Sequence, residues 1–390
     1  MHGFRHALAL FIALAEGRFI VPPPTGPHGV SLIDLELVDT GRQDPYTNAS
    51  QRTIPISIIS PAGPASQCVN ITQPYMLDSV ARFLEQSITG PDTLNASFTL
   101  NHTFTETNLS LCEPNAAPNH YPLILFSAGL GFPRQFYHII CSNIASWGYS
   151  VVTVETPGQS GMVVYADGTV QYTDAMFAGA EDPTDQQLQA ASIVRETDLT
   201  FALNSLSSPS FAKAHPKLHL NTSRTALFGH SFGGSATIFE LMNHTRFYGG
   251  ANLDGAYFGQ PLTDYESKKP FLQFASSGHN QSSIPSWATV WQHFQGWKLQ
   301  LQLENSGHWD FTDMAYLFET YGVDNIPGAE QEVAIVLGTI EGHKALKSVV
   351  GAMLSFFNFL FFNGSEAHTP SVAQEVIQFA DILVVNGTGV

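Results

Sequence analysis

A serine in a glycine-flanked turn is the residue of this chain best placed to do chemistry. Ser231 lies in the segment 229–234, Gly-His-Ser-Phe-Gly-Gly, which follows the pattern G-x-S-x-G. An apolar stretch precedes it and a helix-forming stretch follows, so the sequence predicts a strand, a sharp turn and a helix. Such a turn presents the serine hydroxyl at the top of a sheet. Surface turns also match the bare pattern, and the flanking elements favour the nucleophile over that alternative.

A serine nucleophile needs a histidine to take its proton and an acid to orient the histidine, in the chain order serine, acid, histidine. Asp254 is the strongest candidate acid, because it directly follows a short apolar strand predicted at 248–253. An aspartate before glycine is also common in turns and helix caps. Asp264 and Glu266 are rival acids, but nothing strand-like precedes them.

The candidate base is His308, which follows a predicted strand and the turn residue Gly307. This is the loop after the last predicted strand, where the histidine of such a triad belongs. His279 comes one strand too early, and His343 lies in a C-terminal helical region. The sequence therefore ranks both below His308.

Two backbone amides must face the negative oxygen of an acyl-transfer intermediate. The residue after the nucleophile, Phe232, is the first candidate donor. Leu130 is the second, since it follows the predicted strand at 122–127 and has a glycine on each side. A plain strand-to-helix turn would also favour these glycines.

Short apolar strands alternate with helices along most of the chain. Such alternation predicts an α/β fold with a mainly parallel central sheet flanked by helices on both faces. Two earlier strands are separated by polar turn residues and predict an antiparallel opening. The predicted strands are 31–37, 53–59, 122–127, 150–155, 225–229, 248–253, 271–276 and 298–304, and the predicted helices are 134–147, 186–206, 232–243 and 331–360.

Three segments stand apart from this alternation. Residues 61–119 are rich in Pro, Asn and Thr, carry four sequons and are interpreted as a glycosylated insertion with a helix near 76–85. Residues 158–185 form either a substrate cap or an ordinary long surface loop. The apolar segment 349–362 is too short to span a bilayer, so a buried helix is favoured over transient contact with a lipid surface.

The N-terminal segment and the net charge of the chain predict its cellular location and limit its partners. Residues 1–15 combine Arg5 with an apolar run and a small-residue site, which predicts a secretory signal peptide; an N-terminal helix packed on the domain is the alternative. The remainder, 16–390, is interpreted as a single domain. The formal charge of −17 comes without a basic run, which argues against nucleic acid and anionic membranes as partners.

Cysteines and glycosylation signals also point to secretion. Cys68 and Cys112 are the plausible disulfide pair in an oxidising compartment. Cys141 lies in an apolar helical stretch and is interpreted as a buried thiol, since no motif supports a cysteine nucleophile. Sequons are enriched and predict an extracellular glycoprotein. They begin at Asn48, Asn70, Asn95, Asn101, Asn108, Asn221, Asn243, Asn280, Asn363 and Asn386.

Five segments together resemble the platelet-activating factor acetylhydrolase family of the plasma and intracellular type II kind. They occur in order at 126–131, 150–155, 229–234, 252–255 and 307–311, and the strand at 52–57 is also similar. The resemblance runs from about 50 to 315. One departure is Ala128, where the family usually has histidine.

The resemblance implies an α/β-hydrolase fold and calcium-independent cleavage of short or oxidised sn-2 acyl esters of glycerophospholipids. It implies Ser231 as nucleophile, Asp254 as acid and His308 as base. Leu130 and Phe232 would form the oxyanion hole. These assignments agree with those made from the residues alone.

Two other functions stay open at this point: a general carboxylesterase or lipase on the same triad, and an inactive hydrolase-fold binding protein. The second usually loses a triad member, and here each is present. The sequence carries no metal-ligand cluster, P-loop or dinucleotide fingerprint, so no cofactor is expected. The expected partner is a small ester or a phospholipid, without an obligate protein partner.

Overall fold

The computed structural model describes residues 18–89, 100, 102–114, 121–177, 183–259, 265–323, 330–362 and 372–388. The predicted signal peptide, the sequons at Asn95, Asn101 and Asn363, and the rival acid Asp264 lie outside these residues. The described strands are β1 Phe19–Val21, β2 His28–Asp39, β3 Arg52–Pro64, β4 Asn70–Pro74, β5 Thr107–Cys112, β6 Tyr121–Ser127, β7 Ser150–Val154, β8 Met162–Val164, β9 Val170–Tyr172, β10 Leu220–His230, β11 Phe247–Leu253, β12 Phe271–Ala275, β13 Lys298–Leu303 and β14 Ile382–Gly387. The described α-helices are α1 Asp78–Ile88, α2 His138–Ala145, α3 Asp185–Leu206, α4 Pro209–Ala214, α5 Phe232–Asn243, α6 Pro285–His293, α7 Met314–Tyr321, α8 Glu330–Leu337, α9 Gly342–Phe362 and α10 Val372–Val376.

The largest sheet is parallel in its middle and antiparallel at both edges. Its order is β14-β13-β12-β11-β10-β6-β7-β3-β2. The strands from β7 to β13 in this order pair in parallel, whereas β2, β3 and β14 join in antiparallel fashion. The carboxyl ends of the parallel strands therefore meet at one edge, which is where the candidate residues fall.

Helices cover both faces of this sheet because its strands are apolar on both sides. In β6, Ile124 and Phe126 belong to one buried cluster, which also receives α2, α7 and α9. Leu123 and Leu125 point the other way, into a cluster with α3 and α5. This alternation is the period of a strand, and it confirms the predicted α/β-hydrolase fold with helices on both faces.

The structure describes part of the segment predicted as an insertion, and β3 continues into it. β3 extends to Pro64, past the predicted boundary at 61. Beyond it, β4 and β5 pair in a small sheet with β1, and α1 lies between them. Cys68 and Cys112 form a disulfide with their Cα atoms 5.4 Å apart. Cys141 is a buried free thiol, as the sequence predicts.

The predicted loop or cap at 158–185 contains the hairpin β8–β9, whose turn includes Gly168 at φ 84°. Whether it covers a substrate stays a prediction.

The C-terminal region differs from its prediction in two ways. The single helix expected at 331–360 is two helices, because Gly338 adopts a φ of 63° and ends α8. Strand β14 was not predicted at all. α9 is long and apolar enough to cross a membrane, yet Val349, Met353 and Phe357 are fully buried against the protein, which is the behaviour of a core helix.

Candidate active site

Ser231 occupies a strained turn between β10 and α5. Its φ of 54° and ψ of −122° belong to a region that side chains rarely adopt. The neighbouring glycines permit the turn: a Cβ on Gly229 would lie 2.3 Å from the Gly233 carbonyl oxygen, and one on Gly233 would lie 2.1 Å from the Ser127 carbonyl oxygen. The strain is maintained because strand, turn and helix are packed too closely to relax.

Asp254 follows β11 and has a fully buried side chain. The amide of Ser276 donates to its Oδ1 at 2.7 Å, and the Ser276 hydroxyl donates to its Oδ2 at 2.8 Å. His308 Nδ1 lies 2.6 Å from Oδ2. Burial alone would raise the pKa of Asp254, but hydrogen bonds from His279 and His308 and their charge outweigh burial and hold the pKa well below its ordinary value. The acid is therefore ionised.

His308 begins a short 3₁₀ helix after β13, where Gly307 makes the turn. A Cβ on Gly307 would lie 2.3 Å from the Val336 carbonyl oxygen, and its amide donates to Asp310 Oδ2 at 2.8 Å. These contacts fix the backbone beside the histidine, whose side chain remains about one-third exposed at 35%. His308 can therefore reach both the buried acid and an external substrate.

The predicted residues converge on the carboxyl edge of the sheet. The Ser231 amide donates to the Leu253 carbonyl at 2.8 Å, which places the serine beside the end of β11. The neighbouring His230 ring lies 4.6 Å from the ring of His308. Within the described part of the chain, the Ser231 hydroxyl makes no hydrogen bond. A nucleophile–base hydrogen bond is often long before substrate binds.

Of the amides in the loop after β6, the one at Leu130 is available to a ligand. Gly129 donates its N–H to the Tyr137 hydroxyl at 3.1 Å, and Gly131 donates to the Gln159 carbonyl at 2.7 Å. The Leu130 amide has no acceptor among the described residues. Phe232 is the first residue of α5, where an amide has no partner inside the helix. Both positions suit the predicted oxyanion hole, which stays a prediction.

Asp254 also contacts a second histidine, His279, and this contact is not predicted from the sequence. His279 Nδ1 lies 2.9 Å from Asp254 Oδ1 and 3.0 Å from Oδ2. The sequence ranked His279 below His308 as the candidate base because it follows β12, one strand before His308, and did not predict its contact with Asp254. Its position directly after a parallel strand was the available signal, since every such position reaches the same sheet edge. The other rival, His343, pairs with Glu319 instead, at 2.8 Å.

A buried chain of hydrogen bonds connects the loop after β6 to the backbone of His308. Tyr137 accepts from Gly129 and lies 2.9 Å from His230 Nδ1. On the other side of the ring, His230 Nε2 lies 2.9 Å from the His308 carbonyl oxygen. Burial and the nearby charge of His308 hold the pKa of His230 well below its ordinary value, so the ring is neutral. A neutral ring can donate only from Nε2 here, because the carbonyl oxygen can only accept.

Arg195 on α3 holds the start of the loop after β6 through hydrogen bonds. It is buried and donates to the Ala128 carbonyl, to the Ser127 hydroxyl at 3.1 Å and to Gln159 Oε1 at 3.1 Å. Its guanidinium lies 5.3 Å from the centre of the Phe232 ring. Burial lowers its pKa to about 10, which leaves it charged at neutral pH. The sequence did not single out Arg195 or His230, since neither carries a motif of its own.

Comparisons with known proteins agree with this fold and with the earlier resemblance. The family described as platelet-activating factor acetylhydrolase, isoform II, matches residues 71–358. A probable 1-alkyl-2-acetylglycerophosphocholine esterase of Arthroderma benhamiae is 26% identical over 93% of this chain and 94% of its own. The platelet-activating factor acetylhydrolase of Gallus gallus is 31% identical over 50% of this chain and 54% of its own. The structure of a ferulic acid esterase from Streptomyces cinnamoneus shares the fold, with a TM-score of 0.75 and 23% identity over 94% of this chain and 99% of that one.

Proposed function

The chain belongs to the platelet-activating factor acetylhydrolase isoform II family, and from this premise we propose that it is a secreted serine esterase for short or oxidised sn-2 acyl esters of glycerophospholipids. That it is an esterase follows from the family and its relatives. The observation that carries the catalytic proposal is the 2.6 Å contact between His308 Nδ1 and the buried Asp254, beside a serine held in the strained turn.

Acylation starts when His308 Nε2 takes the proton of the Ser231 hydroxyl as the serine oxygen attacks the ester carbonyl. The resulting oxyanion accepts hydrogen bonds from the amides of Leu130 and Phe232. Collapse breaks the bond to the sn-2 oxygen, and the imidazolium of His308 returns its proton to that oxygen, which leaves as the lysophospholipid alcohol.

Deacylation repeats the sequence with water. His308 removes a proton from a water molecule as the water oxygen attacks the acyl-enzyme, and the bond to the serine oxygen breaks. The proton returns to Ser231, and the acyl group leaves as a carboxylic acid. Asp254, ionised in the fold, stabilises the imidazolium of His308 in both halves.

The nucleophile is tested with a fluorophosphonate probe, which reacts with activated serines. We expect the wild-type chain to be labelled and Ser231→Ala to lose both labelling and esterase activity. Ser210→Ala is the matched control, because Ser210 is an exposed serine on α4 and should leave labelling unchanged. Continued labelling of Ser231→Ala would contradict the proposal.

The substrate class is tested with a panel on the purified protein. An sn-2 acetyl phospholipid should be hydrolysed faster than its long-chain counterpart. Aryl acetates and triglycerides are measured alongside. Turnover of aryl esters with none of any phospholipid would instead assign a general carboxylesterase.

Secretion is supported by the disulfide and by the positions of the sequons. Every sequon asparagine in the described residues is exposed or half-exposed, so each could carry a glycan. Expression in a eukaryotic host should give a protein in the medium whose apparent mass falls on treatment with an N-glycosidase. Retention inside the cell as a single unmodified species would contradict this part of the proposal.

A further inference from the structure

Asp254 carries two imidazoles, whereas a serine triad requires only one. His308 binds Oδ2 through Nδ1, and His279 uses its own Nδ1 to contact both carboxylate oxygens at 2.9 and 3.0 Å. The acid is fully buried, while 40% of the His279 side chain is exposed. Protons from solvent can therefore reach His279 directly, and its charge acts on the acid that supports the base.

The position of His279 is fixed by its surroundings. Gly278 takes a φ of 83°, which turns the chain after β12 back toward Asp254. The Ser276 hydroxyl, which donates to Asp254, lies 3.0 Å from His279 Nδ1. The imidazole ring of His279 packs edge-to-face with the ring of Trp287, with 6.3 Å between the two ring centroids. The Trp287 indole N–H in turn donates to the Gly255 carbonyl oxygen at 2.7 Å, which fixes its position. The second imidazole is thus part of the ordered site.

We propose that His279 is a positioning residue for Asp254. When its ring is neutral, His279 orients the carboxylate of Asp254. When its ring is protonated, it competes with His308 for the negative charge of that carboxylate and so lowers esterase activity at acidic pH. The inference rests on the proposed function, because it assumes that His308 becomes an imidazolium during turnover.

The charge balance around His279 supports this role. Among the residues that the structure describes, Asp254 from the end of β11 and His308 from the loop after β13 are the titratable groups that face it, and α6 contributes the uncharged ring of Trp287. The hydrogen bond to Asp254 raises the pKa of His279 above its ordinary value. The rings of His279 and His308 are 6.5 Å apart, so a proton on His279 opposes the imidazolium that the reaction must form. At this distance and exposure the opposition corresponds to a rate loss of roughly threefold to tenfold.

The test is the pH dependence of kcat/KM for 4-nitrophenyl acetate in wild type, His279→Gln and His279→Ala. Glutamine keeps a donor for Asp254 but does not titrate. The ratio of activity at about pH 5 to that at about pH 8 should be higher in His279→Gln than in wild type, by up to roughly threefold. The gain is smaller than the rate loss itself, because a proton on His279 also disfavours the imidazolium of resting His308. His279→Ala should show the same shift together with a lower plateau, because it also loses the donor.

His343→Gln is the matched control, since His343 is another partly exposed histidine paired with a carboxylate, Glu319, at 2.8 Å. Its pH profile should coincide with that of wild type. Identical acid limbs in wild type and His279→Gln would overturn the inference. Should His279→Gln not fold, ¹⁵N NMR titration of His279 in wild type decides: an imidazole that stays neutral through the acid limb of activity overturns it.

The two proposals fail in different ways. Persistent labelling of Ser231→Ala would refute the nucleophile and with it the basis of this inference. Loss of labelling in Ser231→Ala together with an unchanged acid limb in His279→Gln would refute the role of His279 alone.

Discussion

Two buried carboxylates at opposite ends of the same strand–helix unit behave in opposite ways. Asp254, beside the start of α5, receives donors on both oxygens, and its pKa is held low by the two histidines. Glu240, in the last turns of α5, accepts from Thr200 on Oε1 at 3.0 Å, while its Oε2 forms no hydrogen bond within the described residues. Burial raises the pKa of Glu240 to about 8.

The difference shows that burial alone does not decide the charge of a carboxylate. Both side chains are removed from water. Convergent donors keep Asp254 ionised, and their absence leaves Glu240 protonated at and below neutral pH. His244 Nε2 lies 3.5 Å from Glu240 Oε2 and makes no hydrogen bond with it, so it does not replace the donors that Asp254 has. At the sheet edge, the ionised Asp254 can therefore stabilise a nearby positive charge. Between α3 and α5, the protonated Glu240 cannot.

The largest expected effect comes from removing the charge at the sheet edge. Asp254→Asn keeps the shape of the side chain and an acceptor for the Ser276 amide, but it cannot stabilise the imidazolium of His308. We expect kcat to fall by roughly 10³- to 10⁴-fold. Steady-state kinetics on an aryl acetate measures the loss, and circular dichroism checks that the fold is kept. A loss under about tenfold would show that the charge of Asp254 is dispensable.

The opposite carboxylate predicts a dependence of stability on pH. The folded-state pKa of Glu240 lies above its unfolded value, so the stability linked to its protonation is present below the unfolded pKa and lost as the pH rises toward about 8. Glu240→Gln removes this dependence, and we expect it to be more stable than wild type at pH 8 by about 1–3 kcal/mol. Urea denaturation at about pH 5 and pH 8 measures the change. Parallel pH dependences in the two proteins would contradict the raised pKa.

The smallest expected effect on catalysis comes from breaking the hydrogen-bond chain that runs from Tyr137 through His230 to the His308 carbonyl. His230→Phe keeps an aromatic ring but leaves the Tyr137 hydroxyl without an acceptor for its proton and the His308 carbonyl without its donor. Leaving a buried polar group unpaired costs about 1–3 kcal/mol, which favours a shift of the His308 backbone toward another partner. Because a small displacement of the base slows proton transfer, we expect kcat to fall about tenfold, with little change in KM. An unaltered kcat would show that the sheet edge depends on Asp254 and its histidines and not on this chain.

The candidate site was largely predictable because its residues follow strands in a fixed order. Ser231, Asp254 and His308 each come after a parallel strand, and the structure brings them to one edge. The sequence names His279 only as a rival base and does not predict its contact with Asp254, because that contact depends on the turn at Gly278. The hydrogen bonds of His230 and the support from Arg195 are long-range contacts without a sequence signature.

The fold was less predictable toward its C-terminus. The apolar period continues across Gly338, so a single helix was expected where the glycine ends α8. The apolar run at 382–385 is compatible with a strand, but the place of β14 at the sheet edge depends on antiparallel pairing with β13, which no local pattern of the chain specifies.

The close approach of Gly233 to the Ser127 carbonyl has a consequence for how this protein can evolve. A single added methyl would push the turn that carries Ser231 away from the strand that precedes the predicted oxyanion loop. The turn that carries Ser231 and the loop after β6 are therefore constrained to change together. New substrate preferences must come from the segments around this turn and loop, where side chains can change without moving them.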